Sequence, residues 1–136
     1  MSNDTWDVSV QKSYTKGSKI EIEITNKAGQ SAFVFSPDAL VIEKMEGNTW
    51  KSLRVLAAPC GSPGPPLRVK EEIKAGTSKK YSWNQEESWC SAETDSNGVP
   101  KTMKQAVATG TYRIPVQYAK GENGSKESLF IEFKIQ

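Results

Sequence analysis

Residues 20–25 (IEIEIT) alternate strictly between apolar and polar side chains. This alternation is typical of a β-strand that buries its isoleucine face and turns its Glu and Thr face to solvent. Residues with turn-forming side chains flank the segment at positions 16–18 and 26–29. Any fold of this chain must therefore contain a half-buried strand at this place.

The same period of two recurs along most of the chain. Further strand patterns cover residues 7–10, 32–35, 39–45, 49–53, 67–73, 80–85, 111–118 and 128–135. Turn residues separate these patterns at intervals of about ten residues, and no segment has the period of an amphipathic helix. The sequence predicts an all-β fold, an antiparallel two-sheet immunoglobulin-like β-sandwich of about eight or nine strands. A barrel is the alternative, because periodicity does not tell whether a sheet closes on itself.

The chain has 136 residues, which is enough for one core and too few for two independent ones. We therefore predict a single domain over residues 1–136. The last two strand patterns predict a terminal hairpin. Pro115 lies within the first of them and lacks a backbone donor, which predicts a sheet edge or a bulge there. Residues 86–106 are polar without a usable period and predict the longest loop.

Two cysteines, Cys60 and Cys90, lie in segments that are predicted to be loops. A disulfide between them would staple irregular backbone, in keeping with the Pro and Gly residues around Cys60. The alternative is two unrelated buried thiols. No basic and apolar leader opens the sequence, and the cysteine pair favours an extracytoplasmic location, secreted or lipoprotein-anchored with its signal removed, over a cytoplasmic one.

Several kinds of catalysis are disfavoured by the residue types present. The sequence contains no histidine, which excludes Ser-His, Cys-His and histidine-ligated metal chemistry. Residues 95–98 (DSNG) resemble the start of a calcium loop but lack the later bidentate Glu. We therefore expect no metal, no cofactor and no enzyme activity. A site built on paired carboxylates is the remaining catalytic alternative.

The expected partner is another protein, either a protease or a cell-surface component. A net charge of +2 is too small to mark a nucleic-acid surface, and no segment is long enough to insert into a membrane. The prolines of residues 57–66 predict a stiff loop, and tryptophan is a frequent hot-spot residue. The candidate partner-binding residues are Pro59, Pro63, Pro65, Pro66 and Trp89.

Residues 73–85 (IKAGTSKKYSWNQ) and 107–114 (VATGTYRI) carry a pattern of Ala-Gly, aromatic-x-Trp-Asn-Gln and Gly-Thr-Tyr. This pattern resembles the intracellular proteinase inhibitor family of bacilli, called BsuPI, and the related immunoglobulin-like domains of bacterial lipoproteins. Glycines at turns and aromatic rings in the core are fold residues first. We therefore expect structural roles for Gly76, Trp83, Gln85, Gly110 and Tyr112.

Two functions follow from these observations. The first is a non-catalytic binding or assembly module, an immunoglobulin-like domain at the cell surface or in a lipoprotein. The alternative is a proteinase inhibitor that places residues 57–66 in a protease cleft. The cysteine pair and the long 86–106 segment depart from the inhibitor family and favour the first function.

Overall fold

A computed structural model describes residues 3–36, 41–56, 58–62 and 69–136. Within these ranges the chain forms twelve strands and no helix. The strands are β1 Trp6–Ser9, β2 Ser13–Tyr14, β3 Ile20–Asn26, β4 Ala32–Ser36, β5 Glu43–Glu46, β6 Thr49–Ser52, β7 Val69–Ile73, β8 Ser78–Trp83, β9 Glu86–Thr94, β10 Pro100–Ala106, β11 Gly110–Lys120 and β12 Lys126–Ile135. The described part of the chain accordingly offers no helix that is long and apolar enough to cross a membrane.

The strands form three sheets. The small sheet has the order β1-β3-β8, and the large sheet has the order β2-β12-β11-β4-β7, with β5 against β11 and β6 against β5. Strands β9 and β10 form a separate two-stranded sheet. The predicted all-β class is confirmed. The barrel alternative is wrong, because the sheets remain separate.

One core joins the small sheet to the large sheet. The three isoleucines of β3 are at most 1% exposed, and the inward residues of β11 and β12 are buried with them. The ring of Trp83 on β8 lies 5.7 Å from the ring of Tyr112 and 6.5 Å from that of Phe133, measured between centroids. Trp83 belongs to the small sheet and its two partners to the large one. The sheets therefore face each other, an arrangement compatible with a β-sandwich.

Strands β11 and β12 form the predicted terminal hairpin, but the prediction for Pro115 is wrong. Strand β11 lies inside the large sheet, with β12 on one side and both β4 and β5 on the other. Strand β5 pairs with residues 112–113 and β4 with residues 117–120. Pro115 lies in the gap between these two partners, where the ladder on that side needs no donor from it.

Residues 86–106, predicted as the longest loop, form β9, a short turn and β10 instead. Neither face of this hairpin packs on the apolar core, so no apolar alternation marks its two strands in the sequence. Cys90 therefore lies in a strand rather than in a loop. Together with the two-residue β2, these strands raise the count above the predicted eight or nine.

The expectation of wholly antiparallel pairing also fails at one place. Strand β2 runs parallel to the end of β12, with Ser13 opposite Lys134 and Tyr14 opposite Ile135. The chain enters this position from β1 in the small sheet and leaves it for β3, again in the small sheet. The two residues of β2 therefore bring the chain briefly to the edge of the large sheet.

Two phenylalanines on β12 test the position of the core. Phe133 is 2% exposed and Phe130 is 41% exposed, on opposite faces of the same strand. Phe133→Ala should lower the free energy of unfolding by about 3–5 kcal/mol, because it leaves a cavity between the sheets. Phe130→Ala is the matched control and should cost less than about 1 kcal/mol. Urea denaturation of both variants measures these changes. Equal losses in the free energy of unfolding would contradict the assignment of Phe133, and not Phe130, to the core.

Candidate functional site

The β9–β10 hairpin, residues 86–106, projects from the two packed sheets and is called the arm below. Every residue of β10 from Lys101 to Ala106 is exposed, and Cys90 and residues 92–98 are exposed as well. An isolated two-stranded hairpin is at best marginally stable in water. The arm therefore needs support from outside its own two strands.

That support comes from residues 53–56 and 58–62, called the buttress below. A disulfide joins Cys60 of the buttress to Cys90 of β9, with 5.8 Å between the Cα atoms. The Ser88 backbone N–H donates to the Arg54 carbonyl at 2.8 Å, and the Leu56 N–H donates to the Ser88 hydroxyl at 2.9 Å. The predicted disulfide is thus present, and the alternative of two unrelated thiols is wrong.

Arg54 adds a second attachment beside the disulfide. Its guanidinium carbon lies 3.8 Å from the centroid of the Trp89 ring. Its Nη2 lies 3.3 Å from Glu87 Oε2, and its backbone N–H donates to Glu87 Oε1 at 3.2 Å. A cation over an indole ring is worth about 0.5–1 kcal/mol at an exposed site. Trp89 is consequently held half-buried in one orientation.

The two faces of the arm differ in what they contact. Side chains alternate along a strand, and Cys90 pairs with Thr102 while Trp89 pairs with Met103. The face that carries Cys90 and Thr102 meets Cys60 of the buttress, with the Thr102 hydroxyl 3.5 Å from Cys60 Sγ, whereas Arg54 of the buttress lies over the Trp89 ring. Trp89 and Met103 lie on the opposite face. Trp89 therefore does not cover the disulfide.

The turn at the tip of the arm is built on Asp95. Its Oδ1 accepts hydrogen bonds from the backbone N–H groups of Asn97 at 2.8 Å and Val99 at 3.0 Å. An Asp carboxylate bound in this way closes an Asx-type turn. Among the described residues, no group of three or more Cys, Asp or Glu side chains is arranged as a metal site.

The buttress also approaches this tip closely. A Cβ at Gly61 would come within 2.7 Å of Val99 Cγ1, and the positive φ of Gly61, +85°, disfavours any other residue. The glycine next to Cys60 therefore permits the contact that brings the buttress against the outer half of the arm.

An open cleft of about 550 Å³ lies where the arm and the buttress meet the small sheet. Val55, Leu56 and Trp83 line its apolar part, and Ser18, Lys19 and Lys104 line its polar part. The volume is that of a small-ligand site. Glu86 also lines the cleft, and its carboxylate accepts a hydrogen bond from the Asn84 amide at 2.8 Å.

Two of the five predicted partner-binding residues lie in the part of the chain that the structure describes. Pro59 is exposed in the buttress next to Cys60, and Trp89 is half-buried on the arm. The disulfide brings the segments of these two residues together. Pro63, Pro65 and Pro66 lie outside the described residues.

The five residues expected to be structural lie at the junction of the arm and core or at turns. Gly76 has φ +78° in the turn before β8, and Gly110 opens β11. The Trp83 indole N–H donates to the Glu86 carbonyl at 3.0 Å. The Tyr112 hydroxyl donates to the Ala108 carbonyl. Gln85 is 2% exposed, and its side chain bonds to the backbone of residues 15–18.

Two surface features were not predicted from the sequence. The first is strand β10 with its exposed Met103, which has no apolar alternation to mark it. The second is the outer face of the large sheet, where the Arg113 guanidinium lies between the Trp50 and Phe130 rings at 4.3 and 4.2 Å. Phe33 and Phe35, two residues apart on β4, were the available signal for an aromatic outer face.

No protein-family model matches the chain, and no curated protein matches its sequence.

Removing the disulfide tests the buttress. The double variant Cys60→Ser, Cys90→Ser opens a link between positions thirty residues apart and should lower the free energy of unfolding by roughly 3 kcal/mol. Hydrogen exchange should accelerate in residues 86–106 and stay slow in β11 and β12, because the core does not include the arm. Exchange is measured by mass spectrometry. An arm that stays as protected as in the wild type would contradict the supporting role of the disulfide.

Glu87 should make the attachment of the arm sensitive to acid. Burial by itself raises the pKa of Glu87, but the Arg54 backbone N–H and guanidinium outweigh it and hold the pKa below the ordinary 4.5. A lowered pKa in the folded state stabilises the fold above the unfolded pKa, and this contribution is lost as pH falls through the folded pKa. Unfolding measured between neutral pH and pH 3 should show this loss in the wild type. The Glu87→Gln variant has no carboxyl group at this position and should lose less of its free energy of unfolding over the same pH range.

Proposed function

We propose that this chain is a non-catalytic protein-binding module that contacts its partner through the arm. The observation that carries the proposal is the support given to the arm. A disulfide, a guanidinium stacked on Trp89 and three hydrogen bonds hold a hairpin that adds nothing to the core. A surface that is already rigid loses little conformational entropy on binding.

The proposed fold class is an immunoglobulin-like sandwich. Strands β1, β3 and β8 correspond to A, B and E of that fold, and β4, β11 and β12 correspond to C, F and G. A tyrosine near the start of strand F whose hydroxyl bonds to backbone a few residues upstream is a hallmark of the class. Tyr112, bonded to Ala108, has this position.

Two departures from the antibody pattern accompany these correspondences. The disulfide links the buttress to the arm instead of strands B and F, and the buried Trp83 lies on the strand corresponding to E. The arm itself is an insertion between the strands that correspond to E and F. The cysteines thus support an inserted binding element rather than the core.

An extracytoplasmic location, in a secreted or lipoprotein-anchored form, is part of the proposal. The Cys60–Cys90 bond is formed, and Cys90 is exposed. Cytoplasmic reductants would reach such a bond, whereas secreted proteins keep it. The location and the function are therefore linked, because loss of the disulfide would loosen the binding arm.

Proteinase inhibition is the second candidate function, and the related assignment to BsuPI-like proteins is proposed with it. Pro59 is exposed immediately before the disulfide-bonded Cys60, and the Ser62 hydroxyl donates to the Pro59 carbonyl at 2.5 Å. A short exposed segment held by a disulfide is a suitable shape for a protease cleft. Replacement of residues 58, 59 and 62 by Gly or Ser, with Cys60 and Gly61 kept so that the disulfide and the contact with Val99 remain, should abolish inhibition and leave arm binding intact.

A photo-crosslinking residue tests the arm directly. Met103 and Phe130 are 40% and 41% exposed, and they lie on the arm and on the outer face of the large sheet. A probe at position 103, in cells that make the chain, should give a discrete adduct that can be identified by mass spectrometry. The same probe at position 130 is the matched control and should not.

The yield of the adduct at position 103 should fall in the Cys60→Ser, Cys90→Ser variant, because the loosened arm loses more conformational entropy on binding. The identified partner should then bind the purified chain with the same dependence on the disulfide. Equal adducts from both probe positions, or none from position 103, would contradict binding through the arm.

A further inference from the structure

Among the described residues, the outer edge of β10 has no strand partner. Strand β10 pairs with β9 on one side, and no described strand pairs with its other side. The outer side of β9, by contrast, is covered at Ser88 by the Arg54 carbonyl. An unpaired edge presents backbone donors and acceptors that another strand can use.

Part of this edge is protected and part is not. Pro100 opens the strand, and the register shifts between Pro100 and Thr102. A proline prevents a foreign strand from pairing at its position. The extra residues of the register shift, 91–93, lie on β9 and leave the outer side of β10 unbulged. From Thr102 to Ala106 the register against β9 is regular. Met103 lies in this regular part and is one of two large apolar side chains that are exposed in the described part of the chain.

We propose that the open edge of β10 pairs with β10 of a second copy of this chain, antiparallel and centred on Met103. The inference rests on the proposed binding function of the arm and names its partner. Two arms would then form one four-stranded sheet about a two-fold axis. Met103 of one protomer would lie opposite the same residue of its partner, beside the Trp89 ring of each arm.

Charge selects this register over its neighbours. In the centred register Lys101 lies opposite Gln105 and Lys104 lies opposite Thr102, so no lysine meets another. Backbone groups point to the outer side at every second residue, so the pairing can shift only in steps of two residues. A shift in one direction places Met103 opposite Lys101. A shift in the other direction places Lys104 opposite itself, and like charges directly opposite are destabilising. Of these three registers, only the centred one places Met103 opposite an apolar residue.

The contact is small, so the association should be weak and dependent on concentration. Five residues of each strand, 101–105, take part in it. The core does not change on pairing, because the arm lies outside it. The dimer should therefore form and dissociate without unfolding of either protomer.

A pair of substitutions at position 105 tests the register. Gln105→Lys places the new lysine of each protomer opposite Lys101 of the other, which creates one pair of like charges on each side of the axis. These two pairs should weaken association roughly 2- to 30-fold. Gln105→Glu places a carboxylate there and should strengthen it by a similar factor. Sedimentation velocity over a concentration series measures both, with the wild type beside them.

The same two variants separate association from folding. Gln105 lies opposite Glu87 within one arm, so Lys at position 105 should favour the monomer fold and Glu should disfavour it. Association and monomer stability are thus expected to change in opposite directions. A parallel change in both, or no response of association to either charge, would overturn the register.

A wild-type chain that stays monomeric at all concentrations would overturn the inference as a whole. The crosslink at Met103 keeps this result distinct from the proposed binding function. An adduct of twice the chain mass supports self-pairing, whereas an adduct with a different protein supports arm binding and contradicts the second copy as partner.

Discussion

The contact of Trp83 with Tyr112 and Phe133 is the interaction on which the rest of the molecule depends. It closes the space between the two sheets, and it also anchors both ends of the arm. On the outgoing side, the Trp83 indole N–H holds the carbonyl of Glu86, the first residue of β9. On the returning side, the Tyr112 hydroxyl holds the carbonyl of Ala108. A change in the core would therefore move the arm.

Gln85 completes this junction at a conformational cost. It has φ +61°, a left-handed conformation that costs a non-glycine residue roughly 1–2 kcal/mol. Its buried amide donates to the carbonyls of Thr15 and Ser18 and accepts from the N–H of Gly17. Three hydrogen bonds of about 1 kcal/mol each are enough to offset that cost. The reversal of the chain from β8 into β9 is thereby fixed to the turn between β2 and β3.

The parts of the fold that were predictable from sequence are those with one buried face. Ile22, Ile131 and their neighbours alternate because one side of each strand meets the core. The disulfide was predictable as a pairing, since only two cysteines exist. The arm was not predictable, because neither of its faces packs on the apolar core and the alternation that marks a strand is therefore absent. The position of Pro115 was missed for another reason: a strand can be interior and still lack a partner on one side over a few residues, and only the registers of β4 and β5 show this.

The outer face of the large sheet and the arm expose similar residue types but differ in how these are satisfied. On the sheet, Arg113 lies between two aromatic rings and is paired with Glu43 at 2.6 Å, and lysines lie over Phe33 and Phe35. Rings covered in this way lose less by meeting water, and the arrangement stabilises the sheet surface itself. On the arm, Trp89 is covered by Arg54, whereas Met103 beside it lies on a strand whose outer edge pairs with no described strand. An exposed apolar side chain beside such an edge adds nothing to this fold, and this difference is the physical basis for proposing the arm, and not the sheet face, as the binding surface.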